Sequence, residues 1–364
     1  MKIGIIDADL LSRRNHRFPN LACMKISGYY KEQGHEVELL TSYDIISAYD
    51  QVYISKVFTD TQVPDNILSL PNVQYGGTGF YFDKAPPLPD EIEHHMPDYH
   101  LYDDWVTRQI NQGKNPKDFA YYTDYSIGFL TRGCFRKCSF CVNQRYDRVS
   151  KHSPLHEFYD PNRKKICLLD DNFLGCPDWK LLLQELQSTG KPFQFKQGLD
   201  ARLLTDEKCK ALFQSKYDGD FIFAFDRIDD APIIETKLKM IRTHTNKIPK
   251  FYVLCGFDSA KRWDAEFWER DLHDTFERIR ILSQYRCLPY IMRHEKYQQS
   301  PYKGMYITLA RWCNQPSFFK KKSLREFCQA DQGQASKRYL AEFEATFPAM
   351  REYLDMKFPE PEVN

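Results

Sequence analysis

Six short apolar runs alternate with helix-like segments between residues 125 and 295, and this alternation constrains the fold most. The runs favour buried strands. They are Ser126–Leu130, Lys165–Leu169, Pro192–Lys196, Phe221–Phe225, Phe251–Leu254 and Leu288–Met292. The helical segments are Pro177–Thr189, Asp206–Lys216, Asp230–Thr243 and Asp264–Tyr285. Because parallel strands need long, usually helical crossovers, the pattern predicts an α/β fold whose core, residues 125–300, is a partial (βα)6 TIM-type barrel.

The first 97 residues carry a second βα pattern. Strands are predicted at Lys2–Ile6, Val37–Leu40 and Gln51–Ser55, a helix at Asn20–Gln33, and a glycine-rich turn within Val73–Phe80. This pattern predicts a small Rossmann-like α/β domain over residues 1–97. Its last part, residues 85–97, is rich in proline and is predicted to be a linker. Residues 98–124 are predicted to bridge to the barrel, and residues 301–364 to form a C-terminal extension.

The composition shows no excess of charge that would indicate a nucleic acid or a membrane surface as partner. Lys and Arg total 51 and Asp and Glu total 50, so the net charge is 51 − 50 = +1. No run approaches the roughly 18 apolar residues of a membrane span, and the N-terminus lacks a signal-peptide pattern. We therefore expect a soluble, cytoplasmic protein without a membrane partner. Aromatic and basic residues within 311–322 are compatible with nucleic-acid binding but do not indicate it.

Three of the 11 cysteines are closely grouped. Cys134, Cys138 and Cys141 have the spacing Cys-x3-Cys-x2-Cys and directly follow the first predicted barrel strand. Such short gaps let one loop place three thiolates around a single [4Fe–4S] cube. The fourth iron then has no protein ligand, and an open coordination position is what a metal needs to bind a substrate.

Two other uses of these cysteines remain open. A zinc site could be completed by His152 and His156. An electron carrier could take Cys167 or Cys176 as a fourth cluster ligand. Either would make the chain a non-enzymatic iron–sulfur or zinc protein. Three further cysteines have long, irregular spacings that favour buried structural roles over an auxiliary cluster: Cys287, Cys313 and Cys328.

The cysteine spacing, its position after the first barrel strand and the aromatic Phe140 before Cys141 resemble the radical S-adenosylmethionine superfamily. The resemblance implies an enzyme whose open iron binds the amino and carboxylate groups of S-adenosylmethionine. The reduced cluster would cleave that cofactor to a 5′-deoxyadenosyl radical, which would abstract hydrogen from an unidentified substrate. It also implies a reductant such as flavodoxin or ferredoxin, and a cofactor contact at Phe140.

The resemblance extends to residues at the strand ends. It implies that Asp170 and Asp171 contact the methionine ammonium group, since a cationic amine needs oxygen acceptors. It places Asp200 and Asp226 near the ribose hydroxyls. Each of these carboxylates could equally serve an ordinary cap or ion pair.

The last two strand ends are expected to contact the adenosine part. At Gly256 the backbone could approach the adenosine closely. Tyr290 could pack on the adenine face or simply fill the core.

The N-terminal domain resembles a degenerate form of the cobalamin-binding domain that precedes some radical S-adenosylmethionine cores. The resemblance rests on its position and on the pair Gly76-Gly77. However, the Asp-x-His-x-x-Gly motif that ligates cobalt is absent, because Asp7-Ala8-Asp9-Leu10-Leu11-Ser12 stands in its place and His16 has the wrong spacing. The sequence therefore argues against cobalamin, and a cobalamin-dependent radical methylase remains the alternative enzyme class.

Overall fold

The computed structural model describes residues 1–360, in two compact units that divide between Lys196 and Gln197. The strands of the first unit are β1 (Lys2–Asp7), β2 (Glu36–Leu39), β3 (Gln51–Ser55), β4 (Val73–Gly76), β5 (Tyr125–Gly128), β6 (Thr131–Arg132), β7 (Ser150–Lys151), β8 (Lys165–Leu168) and β9 (Phe193–Phe195). Its helices are α1 (Ala8–Ser12), α2 (Leu21–Glu32), α3 (Asp65–Leu68), α4 (Thr78–Tyr81), α5 (Asp90–Glu93), α6 (Asp103–Asn111), α7 (Ala120–Thr123) and α8 (Trp179–Ser188).

The second unit contains the remaining elements. Its strands are β10 (Ile222–Ala224), β11 (Lys250–Cys255) and β12 (Leu288–Arg293). Its helices are α9 (Asp206–Phe213), α10 (Ala231–His244), α11 (Ala265–Gln284), α12 (Lys303–Cys313), α13 (Pro316–Phe319), α14 (Leu324–Ala330), α15 (Gln334–Thr346) and α16 (Arg351–Leu354).

A four-stranded parallel sheet forms the N-terminal part of the first unit. The strand order is β2-β1-β3-β4, with Ile3 paired to Val37 on one side and to Gln51 on the other. Strand β1 is buried along almost its whole length, which explains its continuous apolar run. The side chain of Asn20 caps α2 by accepting from the Cys23 amide, so the predicted Rossmann-like pattern of parallel strands and helices is present.

All six predicted barrel strands are present, as β5, β8, β9, β10, β11 and β12, and they lie in two three-stranded parallel sheets. In the first unit the order is β5-β8-β9, and in the second it is β10-β11-β12. An isolated parallel bridge joins Leu199 to Phe223 in the second unit. The mixed α/β fold with parallel sheets is thus confirmed, whereas the arrangement of all six strands in one partial barrel stays a prediction.

Residues 85–97 are more ordered than the predicted linker. They contain α5, and its last residue, Glu93, accepts hydrogen bonds from the buried Lys25 ammonium through both its carbonyl and its carboxylate.

Beyond residue 300, helices α12–α15 pack around apolar side chains such as Trp312 and Leu340. In residues 1–360, no helix is both long and apolar enough to cross a membrane.

Strand β5 depends on a glycine where it passes the fully buried Phe158 ring. A methyl group on Gly128 would overlap that ring, and Phe158 is only 1% exposed. We expect Gly128→Ala to lower the free energy of unfolding by about 1–3 kcal/mol, as overpacking typically does. Gly76→Ala is the control, because a methyl group there would have no neighbour within 4 Å. Equal stability of the two variants in denaturant titrations would contradict this packing.

Candidate functional site

The three grouped cysteines lie in one loop between two short paired strands. Strands β6 and β7 are antiparallel, with Thr131 opposite Lys151, and the loop runs from the end of β6 to the start of β7. Gly133 starts the loop with φ +98°, and a side chain there would strike the Arg148 carbonyl. The Lys137 ammonium closes the loop by donating to the Gln144 carbonyl at 2.6 Å.

The loop cysteines differ from all the others in accessibility. Cys134, Cys138 and Cys141 are half-buried, whereas the other eight are buried. Burial raises the pKa of Cys287 to about 12 and that of Cys328 to about 12, which keeps such thiols protonated and inert. The three accessible thiols on one loop are the donor set that a [4Fe–4S] cluster with one open iron requires.

Two asparagines donate hydrogen bonds to the loop sulfurs. The Asn143 amide donates to Cys141 Sγ at 3.4 Å, and Asn172 Nδ2 donates to Cys134 Sγ at 3.3 Å. Hydrogen bonds to thiolate ligands influence the reduction potential of a cluster. The oxygen of the Asn172 side-chain amide, Oδ1, is buried without a hydrogen-bond partner. A buried unsatisfied acceptor beside the cysteines fits a ligand that brings a donor. The sequence placed Asn172 directly after Asp170 and Asp171 but did not single it out as a site residue.

The acidic residues at the end of β8 hold the loop. Asp170, which is 1% exposed, accepts from the Leu130 amide at 3.2 Å and from the Thr131 amide and hydroxyl at 2.7 and 2.6 Å. Burial raises its pKa to about 7, although these hydrogen bonds oppose the rise. Asp171 accepts from the Gly133 amide at 2.8 Å and from Asn143 Nδ2 at 2.7 Å. Both carboxylates therefore orient the cysteine loop, and their predicted contact with an ammonium group stays a prediction.

Phe140 is half-buried within the loop, next to Cys141. In residues 1–360, no three histidine, cysteine or acidic side chains are arranged to hold a single metal ion. A cube differs from such a site because each thiolate binds its own iron, so its ligands surround a volume.

Four predicted site residues lie in the second unit. Asp200 is paired with Arg202 at 2.8 Å, and Asp226 accepts from the Leu254 amide at 3.2 Å. Gly256 has φ +74° and lies in the turn after β11. The half-buried Tyr290 ring packs edge-on against another tyrosine of the sheet, with centroids 5.6 Å apart. Asp226 and Gly256 follow the ends of β10 and β11, whereas Tyr290 lies within β12, and the predicted cofactor contact of each residue stays a prediction.

A buried polar network occupies the carboxyl end of β1. Tyr102 donates to Asp7 Oδ2 at 2.9 Å, and the Asn20 amide donates to the Tyr102 hydroxyl at 3.1 Å. Burial raises the pKa of Asp7 to about 7. His16 lies within 2.5 Å of the Tyr122 hydroxyl and 3.8 Å of Asp7, and burial lowers its pKa to about 4. His16 therefore forms its hydrogen bond inside the domain, and its position does not suit a metal ligand.

An apolar surface adjoins this network at the ends of β3 and β4. Gly77 has φ +106°, and a side chain there would strike the Lys56 carbonyl, so the β4 turn packs closely on the end of β3. Large apolar side chains around this turn are more than a third exposed: Val57, Phe58, Tyr75, Tyr81 and Phe82. Ligands of open parallel sheets bind outside the carboxyl ends of the strands, so this edge can receive a broad ligand with apolar faces.

The buried carboxyl groups of Asp7 and Asp170 lead us to predict that stability depends on pH. A carboxyl whose pKa is raised in the folded state binds a proton more tightly there, so the stability that it contributes is present at low pH and is lost as pH rises from about 4 to about 7. Each such group contributes a loss of about 1.4 kcal/mol per pH unit across that window. Asp7→Asn should flatten the slope of unfolding free energy against pH, and exposed Asp104→Asn should keep it. An unchanged slope in Asp7→Asn would disprove the assignment.

No family model and no curated protein matches the chain. Among solved structures, the radical S-adenosylmethionine methyltransferase TsrM from Kitasatospora setae, with cobalamin and a [4Fe–4S] cluster bound, is similar with a TM-score of 0.52 and 13% identity. The match covers 80% of this chain and 74% of that one. TsrM with tryptophan substrate and the analogue aza-SAM gives a TM-score of 0.50 and 11% identity, over 80% of this chain and 72% of that one. At these identities the likeness is one of fold.

The chain thus has an α/β fold built from parallel sheets. More particularly, it shares the fold of a radical S-adenosylmethionine methyltransferase that was solved with cobalamin and a [4Fe–4S] cluster, in agreement with the predicted resemblance. The prediction against cobalamin is wrong, because the solved structure that shares this fold binds cobalamin together with its cluster. The prediction relied on a missing cobalt-ligating histidine, and a single ligand residue does not determine whether a domain can hold the large corrin ring.

Proposed function

We propose that this protein is a radical S-adenosylmethionine enzyme that also binds cobalamin and transfers a methyl group to a substrate of unidentified structure. The observation that carries the proposal is the loop with three accessible cysteines, held at the end of β5 by Asp170, Asp171 and Asn172. The fold shared with a cobalamin-binding methyltransferase supports the same conclusion.

Cys134, Cys138 and Cys141 would hold the cluster. When bound, the cluster supplies an open iron for S-adenosylmethionine and an electron from an external reductant. The chain's own contribution is orientation: Asp170 and Asp171 fix the loop backbone through amide hydrogen bonds. Asn172 offers an unpaired buried oxygen beside Cys134, where it can accept a hydrogen bond from the cofactor's amino group.

Cobalamin would lie on the carboxyl edge of the N-terminal sheet. When bound, it supplies a cobalt centre that carries a methyl group. Val57, Phe58 and Tyr81 would pack on the corrin ring, since their exposed apolar faces lose water on contact. We expect no histidine ligand from the β1 loop, because His16 Nδ1 is hydrogen bonded to the Tyr122 hydroxyl within the domain.

Hydrogen abstraction without cobalamin, the function predicted from sequence alone, makes a different product. Anaerobically reconstituted protein should be incubated with S-adenosylmethionine, reductant and either methylcobalamin or no corrinoid. The proposal expects cobalamin to stay with the protein fraction after gel filtration, seen as corrinoid absorbance, in the wild type and in the Cys138→Ala variant alike, because Cys138 would hold only the cluster. Release of 5′-deoxyadenosine with no cobalamin retained would favour hydrogen abstraction and refute the methylase.

A further inference from the structure

A cavity of about 270 Å³ lies within the first unit, outside the carboxyl ends of β1 and β2. Leu10 and Leu11 of α1, which directly follows β1, line part of it, and Thr41 lines it two residues after β2. Trp105 and Gln109, both on α6, complete its uncharged lining. Ligands of open parallel sheets bind outside the carboxyl ends of the strands, so this cavity has the position of a binding site.

The charged residues that line the cavity are all cations: Arg13, Arg14 and Lys114. A cleft lined by charges of one sign concentrates their field and attracts ions of the opposite sign. An arginine presents a planar fork of N–H donors that matches the oxygens of a phosphate, and a lysine adds a compact positive charge. The lining therefore favours an anion with several oxygens over a neutral ligand.

Arg14 and Lys114 carry charges that no carboxylate of residues 1–360 neutralises through an ion pair. The Lys114 ammonium donates to neutral oxygens, those of the Gln109 side chain at 2.5 Å and of the Arg14 carbonyl at 3.4 Å. The Arg14 side chain is exposed. Because both cations line one cavity, their charges repel each other, and a bound anion relieves that repulsion.

Arg13 is the third cation, and it links the cavity to the apolar surface at the ends of β3 and β4. Its guanidinium lies 4.0 Å from the centre of the Phe58 ring, and its Nη2 pairs with the exposed Asp60 at 2.5 Å. Its Nε lies 4.0 Å from the buried Asp9 carboxylate and is buried without a hydrogen-bond partner in residues 1–360. A buried unsatisfied donor on a residue of the lining fits a ligand that brings an acceptor.

We propose that this cavity binds a phosphate group, whose oxygens accept hydrogen bonds from Arg14 and Lys114 and whose charge Arg13 helps to balance. A phosphate suits three cations better than a carboxylate does, because it carries up to two negative charges and more acceptor oxygens. Two sources share this chemistry: a separate phosphorylated small molecule, and the phosphodiester in the nucleotide tail of cobalamin. Only the second source rests on the proposed function, in which the corrin ring packs on Phe58 beside Arg13.

The test is equilibrium dialysis of radiolabelled inorganic phosphate against full-length reconstituted protein, at fixed ionic strength and without a corrinoid. Wild-type protein should bind phosphate at a saturable site. Arg14→Gln should weaken that binding about tenfold or more, as the loss of one charge-assisted hydrogen bond does, and Lys114→Gln should weaken it likewise. Arg17→Gln is the matched control, because Arg17 is an exposed arginine of the same segment that pairs with Asp118 and does not line the cavity.

Three results would overturn the inference. The first is the absence of saturable phosphate binding to the wild-type protein. The second is wild-type affinity in both Arg14→Gln and Lys114→Gln. The third is an equal loss of affinity in Arg17→Gln, which would indicate general attraction by the surface charge instead of a site.

A second dialysis identifies the source by comparing cobalamin with cobinamide, the corrinoid that lacks the nucleotide tail. If cobalamin supplies the phosphate, it displaces the labelled phosphate whereas cobinamide does not, and Arg14→Gln weakens the binding of cobalamin alone. If a separate molecule supplies it, protein loaded with cobalamin binds labelled phosphate as before. Phosphate binding by a protein that retains neither corrinoid would refute the proposed function and leave this inference standing.

Discussion

Cys138→Ala protein, reconstituted anaerobically, is expected to lose its [4Fe–4S] cluster and all release of products from S-adenosylmethionine. Wild-type protein should carry about four irons and four sulfides per chain, and the variant well below one of each. The physical reason is that Cys138 supplies one of only three thiolates, so its loss leaves two irons of a cube without a protein ligand. Iron and sulfide assays with visible absorbance measure the effect.

Cys176→Ala is the control for this experiment. Cys176 is 2% exposed, and burial raises its pKa, so it should not ligate the cluster and its variant should keep full iron content. A loss of iron in Cys176→Ala equal to that in Cys138→Ala would contradict the three-cysteine assignment and favour a four-cysteine electron carrier. A single bound zinc in place of iron would refute the cluster itself.

The secondary structure could be predicted because buried parallel strands are continuous apolar runs. Ile127 and Cys167, which lie in neighbouring strands, are both 0% exposed, and their segments stood out in the sequence for that reason. The helix predicted at Asn20–Gln33 likewise ends before a glycine, because Gly34 has φ +78° and follows α2 within two residues. Local patterns thus identified the elements, whereas closure of a barrel depends on contacts between distant segments.

The structural role of Asp170 and Asp171, which follow β8, could not be predicted in the same way. Asp170 bonds to Leu130 and Thr131, about 40 residues earlier in the chain, and only the pairing of β5 with β8 brings them together. Asn172 follows the two aspartates in the same strand-end segment, but an asparagine in a turn is common, so the sequence alone did not single it out as a site residue. The cobalamin prediction failed for a different reason: it relied on one cobalt-ligating residue, which is a small part of the surface that a ring as large as corrin contacts.

Asp170→Ala is expected to cause the largest loss of stability in the cysteine loop. It leaves the amides of Leu130 and Thr131 buried without acceptors, each costing about 1–3 kcal/mol, so the free energy of unfolding should fall by about 3–5 kcal/mol. Cluster incorporation should fall with it, because Thr131 leads directly into the loop. The control is Asp178→Ala, which removes only an exposed pair with Lys151 and should change stability by less than about 0.5 kcal/mol. Wild-type stability and iron content in Asp170→Ala would mean that the loop is held by its cysteines and cluster alone.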